Sequence, residues 1–360
     1  MKEWIQEHIR LLSKREHGSK SWAELDFSIN TNPLGPPASV MDFFHKSDHS
    51  WIHKYPVEQA YYLKEQIAKK LKVNQEQVVI GNGAAELFFL LSRVLRVNRG
   101  VIVHPTFSEY EASLQAANIL IERVFYQREG DRFLFPLEKL KEIISKGDLL
   151  YICRPNNPTG QMVSLEEMVE VIRFVKDRQA FLVVDESFIE FTNEPLGLIE
   201  LFHEEAPLIL VRSLTKFYSI PGIRLGYAVG PSWLIQSLEL IRDPWTVNAL
   251  AQQIGILLLD DISFIEETRT WVQQEREWLY QEMKQMDKYH IYPTSANFYL
   301  VRTAFPARVL EQELKKKRIA IRLAHSFPGL DDHFIRLAIK TREENLELLK
   351  ELKQFVLSSS

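Results

Sequence analysis

Short apolar runs recur between about residues 78 and 230, and they alternate with longer amphipathic stretches. The runs are rich in β-branched residues and are bounded by turn residues, as buried strands are. They read VVIGNG, GVIVHP, IERVFY, LLYICRP, AFLVVDES, LILVRSLT and LGYAVG. The stretches AAELFFLLSRVL, SEYEASLQAANIL, SLEEMVEVIRFVKDRQ and PSWLIQSLELI carry apolar residues at helical spacing. This alternation predicts an α/β fold whose mostly parallel central sheet is flanked by helices on both faces.

The pattern changes after Pro244, where a long helical stretch at 262–286 precedes strand candidates at 296–302 and 333–340. This predicts a second, smaller α+β domain, in agreement with a length of 360 residues and roughly 100–200 residues per domain. The segment SINTNPLGPP is extended and punctuated by proline, and we expect it to reach the small domain. The predicted division is an N-terminal arm that is part of the small domain (1–35), a large domain (36–248) and a small C-terminal domain (249–360).

Composition narrows the classes of partner and the compartment. Forty-four basic and 48 acidic residues give a net charge of -4, so we expect neither nucleic acid nor an anionic membrane as a partner. The single cysteine, Cys153, excludes an intrachain disulfide and a multi-cysteine zinc site, and it fits a reducing compartment. The N-terminus lacks the apolar core of a signal peptide, and no uncharged stretch is long enough to span a membrane. We therefore expect a cytoplasmic protein that binds no metal.

The segment VRSLTKFYSIPGIRLGYAVG places Lys216 after a buried strand, with Ser213 three residues before it and Arg224 eight after it. A lysine at this position is usually a solvated strand end. Here it is accompanied by a hydroxyl and a guanidinium, which are both donors to phosphate. Lysine amines also form covalent bonds to carbonyl compounds. The combination indicates a nucleophilic amine beside a bound phosphate group.

Two further strand ends carry polar residues. Asp185 ends the apolar run LVVDESF, where a buried carboxylate is costly unless a cation faces it. An Asp that caps the next segment or pairs with an arginine is an equally good interpretation of that residue alone. In CRPNNPTG, Asn156 and Asn157 precede Pro158, and in isolation this is simply a favourable turn.

Together these segments resemble the fold-type I pyridoxal-phosphate enzymes, in particular the aminotransferase-like subgroup. In that family the Asn of NPTG contacts the phenolic oxygen of the cofactor, the strand-end Asp pairs with its ring nitrogen, and the Lys holds it covalently. The resemblance therefore implies pyridoxal 5'-phosphate as the cofactor, Lys216 as the catalytic residue, and Asn157 and Asp185 as cofactor-binding residues.

The resemblance also extends to the groups around the phosphate and the ring. GNGAAE is similar to the family's phosphate cup, in which backbone N–H groups at a helix start bind phosphate. It does not match a dinucleotide fingerprint, because Glu86 stands where the third glycine belongs. Tyr55 matches a tyrosine that relatives contribute from the neighbouring subunit, which implies a homodimer with shared active sites. The further cofactor-binding residues implied are Gly83, Ala84, Ala85, Phe107, Ser213, Arg224 and Tyr55.

Two subgroups compete within this family, the threonine-phosphate decarboxylases of cobalamin biosynthesis and the histidinol-phosphate aminotransferases. Phe188 stands where the aminotransferases usually carry Tyr, and PWTVNALA, DFSINTNPLGPP and IAIRLAHSFPGLDDHFIRLAIKTREEN are similar to the decarboxylases. The decarboxylases' His-Gly motif is present, although Ser19 replaces its usual second glycine. The resemblance implies decarboxylation of L-threonine O-3-phosphate to (R)-1-aminopropan-2-yl phosphate. The alternative is a histidinol-phosphate or other amino-acid aminotransferase.

Arg322 and Arg336 lie in apolar, strand-like contexts, where an unpaired guanidinium is expensive to bury. Each is therefore expected to face an anion, which is either the substrate or a structural carboxylate. By resemblance, the residues that bind the phosphorylated amino-acid substrate are His17, Gly18, Asn32, Asn157, Arg322 and Arg336. A third class, a non-catalytic pyridoxal-phosphate-binding regulator, requires an additional basic DNA-binding domain, for which only about 35 residues precede the fold.

Overall fold

The computed structural model describes residues 6–10 and 18–358. The strands are β1 (Leu25–Asp26), β2 (Val78–Gly81), β3 (Arg99–His104), β4 (Leu120–Phe125), β5 (Gln127–Glu129), β6 (Arg132–Leu134), β7 (Asp148–Cys153), β8 (Phe181–Asp185), β9 (Leu208–Ser213), β10 (Gly226–Val229), β11 (Tyr289–Ile291), β12 (Phe298–Thr303), β13 (Ile319–Ala320), β14 (Arg322–Leu323) and β15 (Phe334–Ala338). The helices are α1 (Glu7–Arg10), α2 (Ala38–Lys46), α3 (Tyr61–Leu71), α4 (Ala84–Val94), α5 (Glu109–Ala116), α6 (Leu137–Ile143), α7 (Leu165–Asp177), α8 (Ser232–Ile241), α9 (Ala249–Leu259), α10 (Ile262–Lys284), α11 (Ala307–Lys316) and α12 (Arg342–Ser358).

A seven-stranded sheet forms the centre of the large domain, with the strand order β2-β10-β9-β8-β7-β3-β4. The β3, β4, β7, β8 and β9 strands pair in parallel, whereas β10 is antiparallel to both β2 and β9. Both faces are buried: Val78 and Ile80 belong to one apolar core and Val79 to another. The predicted α/β fold with a mostly parallel, helix-flanked sheet is therefore confirmed.

A second, antiparallel sheet has the order β11-β12-β15-β14 and packs against its own apolar core. The N-terminal segment reaches this part of the molecule, since β1 pairs in parallel with β13 and the amide of Ala338 donates to the carbonyl of Phe27. Phe27 is fully buried in the same core. The extended segment before Pro33 thus crosses from the small sheet to the large one, as its sequence predicts.

The predicted domain boundary at residue 249 stays a prediction, and the helices that follow it pack on the cores of both halves. Helix α9 packs against the large domain, because Ile254 and Leu258 belong to the same core as Leu63 of α3. Helix α10 belongs to both halves: Val272 lies in the large-domain core and Leu279 in the small-domain core. The change in pattern after Pro244 marks the end of the large sheet, but a further helix returns to cover that sheet.

The parallel strands bring their carboxyl ends to one edge of the sheet, which is where ligands bind in open α/β folds. Strands β7, β8 and β9 end there with Cys153, Asp185 and Ser213. No helix within residues 6–10 or 18–358 combines the length and the apolar character needed to cross a bilayer.

Candidate active site

A cleft of about 350 Å³ opens at the carboxyl ends of these strands. The N-terminal segment at residues 28–31 forms part of its wall, and the strand β15 of the small sheet supplies another part. The cleft brings together most of the residues predicted from the sequence: Gly18, Ala84, Ala85, Phe107, Asn157, Asp185, Ser213, Lys216, Arg224 and Arg336.

One end of the cleft is built to hold an anion. Helix α4 begins at Ala84, and Gly83 before it has a φ of +77°, which glycine adopts without strain. A Cβ added to Gly83 would overlap the guanidinium of Arg224, so this side chain lies directly against the turn. Free N–H groups at a helix start and a guanidinium form a site for phosphate.

The hydroxyl groups of the lysine segment lie at the same end. The Oγ of Ser213 and the Oγ1 of Thr215 are 2.7 Å apart, and both residues line the cleft. The Nζ of Lys216 donates to the Oγ of Ser213 over 3.4 Å. The predicted grouping of an amine, a hydroxyl and a guanidinium is therefore present in space as well as in sequence.

Asp185 lies on the floor of the cleft and is 4% exposed. Its Oδ1 accepts from the amide of Ser187 (2.8 Å), and its Oδ2 accepts from the hydroxyl of Tyr110 (2.6 Å). Among the described residues it forms no ion pair. A buried carboxylate with only neutral donors can accept a cationic N–H from a bound molecule, which offsets its desolvation.

The environment of Lys216 favours the neutral form of its amine relative to an ordinary lysine. Burial lowers the pKa of Lys216, and the positive charges of Arg224 and Arg336 lower it further, whereas the carboxylate of Asp185 opposes both. The Nζ also lies 5.3 Å from the centre of the Phe188 ring. A depressed pKa increases the fraction of neutral, nucleophilic amine at physiological pH.

Arg336 reaches into the cleft from β15. Its Nη1 donates to the Oδ1 of Asn157 (2.6 Å) and its Nη2 to the carbonyl of Ser28 (2.8 Å), while its Nε is buried without a partner in the described chain. Burial, together with the positive charge of Arg322, lowers the pKa of Arg336 to about 9. Within the described part of the chain no carboxylate contacts this guanidinium directly, so an anion entering the cleft would stabilise its charge.

Arg322 stands beside Arg336 but does not line the cleft itself. The two are directly opposite each other in the antiparallel pair β14–β15, which places their side chains on one face of the small sheet. The Nη2 of Arg322 donates to the Oγ of Ser326, and its guanidinium lies over the ring of Phe327. The pair of cations therefore borders the cleft on the small-domain side.

Besides Arg322, the predicted residues Asn32 and Tyr55 do not line this cleft. The side-chain amide of Asn32 donates to the carbonyl of Phe217 and to the Oγ1 of Thr268, so this side chain supports the lysine segment, and its contact with substrate stays a prediction. Tyr55 is 79% exposed and stacks on Trp245 outside the cleft. His17 lies outside the described residues.

Sequence reasoning also missed residues that line the cleft. Asn30, two positions before Asn32, faces the cleft, and its buried Oδ1 has no hydrogen-bond partner among the described residues. Thr215 and the lone cysteine, Cys153, line it too. The motif SLTK could have pointed to Thr215, because a hydroxyl next to the lysine is a further phosphate donor.

The donor set fits pyridoxal 5'-phosphate. The start of α4, Arg224 and the two hydroxyls would hold the phosphate, and Asp185 would hold the ring nitrogen. Phe107 would pack against the ring, and Asn157 would contact its phenolic oxygen. The amine of Lys216 lies in the same cleft, where it would form the covalent link.

Comparison with known proteins supports this interpretation. The sequence profile described as "Aminotransferase class I and II" matches residues 23–352. The threonine-phosphate decarboxylase of Salmonella typhimurium is 33% identical over 330 residues, which are 91% of this chain and 90% of that protein.

Two solved structures have the same fold. The histidinol-phosphate aminotransferase from Clostridium acetobutylicum has a TM-score of 0.86 at 29% identity, covering 92% of this chain and 98% of that one. The L-threonine-O-3-phosphate decarboxylase from Porphyromonas gingivalis has a TM-score of 0.80 at 25% identity, covering 92% and 99%. Overall shape is thus common to both subgroups, and the residues of the site must distinguish them.

Proposed function

The chain belongs to the aminotransferase class I and II family, and we propose that it is a pyridoxal-phosphate-dependent decarboxylase. The proposed reaction converts L-threonine O-3-phosphate to (R)-1-aminopropan-2-yl phosphate and carbon dioxide, in cobalamin biosynthesis. The threonine-phosphate decarboxylase of Salmonella typhimurium is 33% identical over nine-tenths of the chain, which supports the choice of substrate.

The observation that carries this proposal is the pair of adjacent arginines at the edge of the cleft. Arg336 is buried and its pKa is depressed by burial and by the neighbouring Arg322, so a second anionic group on the substrate is favoured there. L-threonine O-3-phosphate carries both a carboxylate and a phosphate. Histidinol phosphate, in contrast, has a phosphate but no carboxylate to lose.

When bound, the cofactor provides an electron sink for the pair of electrons left at Cα after a bond breaks. Asp185 would keep a proton on the ring nitrogen, since a nearby carboxylate raises the pKa of a cation. The amine of Lys216, protonated by the proton that the incoming substrate ammonium gives up, would donate that proton to Cα as a general acid. The arginines would fix the two anionic groups and so decide which bond at Cα is presented for cleavage.

Phe188 supports the same assignment. Its ring lines the cleft next to the Nζ of Lys216 and makes an edge contact with Phe298, with centroids 5.0 Å apart. A phenylalanine cannot donate a hydrogen bond to the phenolic oxygen of the cofactor, as the tyrosine usual in the aminotransferases can. The resemblance to the decarboxylases implies a phenylalanine, and not a tyrosine, at this position.

We also infer that the protein acts as a homodimer with shared sites. The exposed rings of Tyr55 and Trp245 are in contact, with centroids 4.6 Å apart, and Ile52, Tyr61 and Tyr62, which are close to Tyr55 in sequence, are exposed as well. Exposed apolar surface of this kind is typical of protein interfaces. Thr246, next to Trp245, donates to Glu86 in the first turn of α4, so this surface borders the anion-binding end of the cleft.

A cytoplasmic location completes the proposal. The one cysteine of the chain, Cys153, is buried and unpaired, as expected in a reducing compartment. The substrate class, a small phosphorylated amino acid, requires neither a nucleic acid nor a membrane as a partner.

The test is the fate of the substrate carboxylate. Purified protein loaded with cofactor is incubated with O-phospho-L-threonine labelled with ¹⁴C in the carboxyl group, in the absence of any 2-oxo acid, and the released carbon dioxide is counted. We expect many turnovers per site, and none with Lys216→Ala. Amino transfer from glutamate to the ketone of histidinol phosphate, with no release of carbon dioxide, would establish the aminotransferase instead.

A further inference from the structure

Tyr110 is a buried tyrosine beside Asp185, and it has no role in the proposed reaction as described above. It lies on α5 and is 0% exposed. Its hydroxyl donates to the Oδ2 of Asp185 over 2.6 Å, within the range of a strong hydrogen bond to a carboxylate. The hydroxyl therefore contacts the carboxylate that is expected to hold the ring nitrogen of the cofactor.

The ring of Tyr110 is fixed on several sides. It stacks on Tyr151 with centroids 5.2 Å apart and planes inclined by 16°, and it meets Phe88 and Phe107 edge to face. Phe107 is the side chain expected to pack on the cofactor ring. Because close-packed aromatic rings have few alternative rotamers, the position of the Tyr110 hydroxyl is set by the core rather than by Asp185.

The hydroxyl is a permanent neutral donor. Burial raises the pKa of Tyr110 well above its usual value, and the charge of Asp185 raises it further. Burial also raises the pKa of the neighbouring thiol of Cys153 to about 12. Neither group can take a negative charge at physiological pH, so the carboxylate of Asp185 has no competing anion beside it.

The two oxygens of Asp185 are held by donors from different elements. The amide of Ser187 lies in the turn after β8, and the Tyr110 hydroxyl comes from α5. Two fixed donors determine the rotation of a carboxylate about χ2, which is otherwise broad. A carboxylate has about four lone-pair sites, so acceptors remain that can face the cleft.

We propose that Tyr110 is a positioning residue that orients Asp185 and stabilises its anionic form, so that Asp185 retains a proton on the ring nitrogen of the bound cofactor. This inference rests on the proposed cofactor role of Asp185, but not on the identity of the amino-acid substrate. Its test therefore uses cofactor-bound protein without substrate.

The decisive variant is Tyr110→Phe, which removes the hydroxyl and keeps the ring. Tyr151→Phe is the matched control, because its hydroxyl is also buried in the same stack but lies 3.4 Å from the Oγ of Ser92 and makes no contact with Asp185. The dissociation constant for pyridoxal phosphate is measured by fluorescence. The protonation of the ring nitrogen is followed by NMR of cofactor labelled with ¹⁵N.

We expect Tyr110→Phe to weaken cofactor binding by about threefold to tenfold, because the lost hydrogen bond acts on the cofactor only through the orientation and charge of Asp185. The ¹⁵N signal should move toward that of an unprotonated ring nitrogen. Tyr151→Phe should leave both quantities close to those of the wild type. A wild-type ¹⁵N signal in Tyr110→Phe would overturn the proposal.

A double-mutant cycle with Asp185→Ala separates positioning from general damage to the core. Once the carboxylate is gone, Tyr110→Phe should change cofactor affinity by less than about twofold, because the two residues act through one hydrogen bond. An undiminished effect in that background would assign Tyr110 a packing role and reject the proposal. Failure to release carbon dioxide from phosphothreonine, with these results intact, would instead reject only the proposed substrate.

Discussion

Lys216 lies among charges that work in opposite directions on its amine. Burial and two guanidiniums favour the neutral form, and one carboxylate favours the ammonium. The net result is a pKa below the 10.5 of an ordinary lysine. Since the neutral amine is the nucleophile, the residue is prepared for its covalent role before any cofactor arrives.

This environment predicts the pH dependence of covalent capture by cofactor-free protein. With pyridoxal, an aldehyde without the phosphate, the rate of capture should rise with pH and then reach a plateau, because deprotonation produces the reactive amine. The midpoint of this rise should lie below 10.5. Arg224→Gln removes a positive charge and should raise that midpoint. Absorbance measured across a pH series gives both values. A wild-type midpoint at or above 10.5 would contradict the described environment.

The site residues that could be predicted from the sequence share one property. Lys216, Asp185 and Ser213 follow strands whose carboxyl ends meet, so the strand pattern alone places them together. Asn30 and Asn32 could not be told apart, because the direction of a side chain in an irregular segment depends on contacts that sequence spacing does not encode. Tyr110 was missed because an aromatic residue at helical spacing from Phe107 and Leu114 is typical of a core.

The turn between β2 and α4 combines backbone N–H groups and a guanidinium in one anion site. Gly83 has a φ of +77°, and the guanidinium of Arg224 fills the space that a Cβ would need. Gly35 has a similar φ of +81°, but nothing lies within 4 Å of its added Cβ. A comparison of substitutions at the two glycines therefore distinguishes the effect of backbone strain from the effect of displacing Arg224.

We expect Gly83→Ala and Gly35→Ala each to lower the free energy of unfolding by about 1–2 kcal/mol, the cost of a left-handed residue with a side chain. Only Gly83→Ala should also weaken binding of pyridoxal phosphate, by roughly tenfold or more, because its methyl group displaces Arg224. Denaturant titration and fluorescence measure the two effects. Equal cofactor affinity in both variants would show that the turn does not contribute to the phosphate site.

The strand pair β14–β15 gives a prediction about the substrate. Arg336→Ala and Arg322→Ala should each weaken binding of O-phosphothreonine by roughly 2–5 kcal/mol, the typical cost of removing one partner of a buried charge pair. Cofactor affinity should change much less. Arg308→Ala on α11 is the control, since its exposed side chain pairs with Asp332. Isothermal titration of each variant with the two ligands tests this, and loss of cofactor with normal substrate binding would reject the assignment.

Long or strongly apolar elements were predictable from the sequence, and short ones were not. Six of the seven strands of the large sheet have almost continuous buried runs, the exception being the edge strand β4, and α10 has a long helical period. Strands β13 and β14 have two residues each, which is too short to have a period, and tertiary pairing alone defines them. The antiparallel direction of β10 likewise depends on the path of the chain rather than on its composition.

For the whole molecule, the exposed surface around Tyr55 and Trp245 predicts a site completed by two subunits. Tyr55→Ala and Lys216→Ala are each expected to be largely inactive as homodimers. After subunits are mixed and exchanged, about a quarter of wild-type activity should appear, because half of the dimers are mixed and one site in each of those carries both native residues.

Carbon dioxide release by the mixture, compared with each variant alone, measures this complementation, and sedimentation establishes the oligomeric state. The same mixing with Asp185→Ala in place of Tyr55→Ala is the control and should stay inactive, since Asp185 and Lys216 line the cleft of the same chain. If Tyr55 acts only in the site of its own chain, no mixed dimer contains an intact site and the mixture stays inactive.

The contacts of the N-terminal segment have a consequence for the order in which the protein matures. Its backbone pairs with residues 319–320 and accepts from Ala338, and Asn32 holds the lysine segment through Phe217 and Thr268. At about 5–20 residues per second, synthesis of residue 320 follows that of residue 25 by roughly 15–60 s. The large sheet can form during that interval, but one wall of the cleft has no partner strand until translation has passed residue 338. Catalytic competence is thus acquired late, because a nascent chain that ends before residue 338 has Asn32 and its partners but lacks Ala338, to which the backbone of the same segment is bonded.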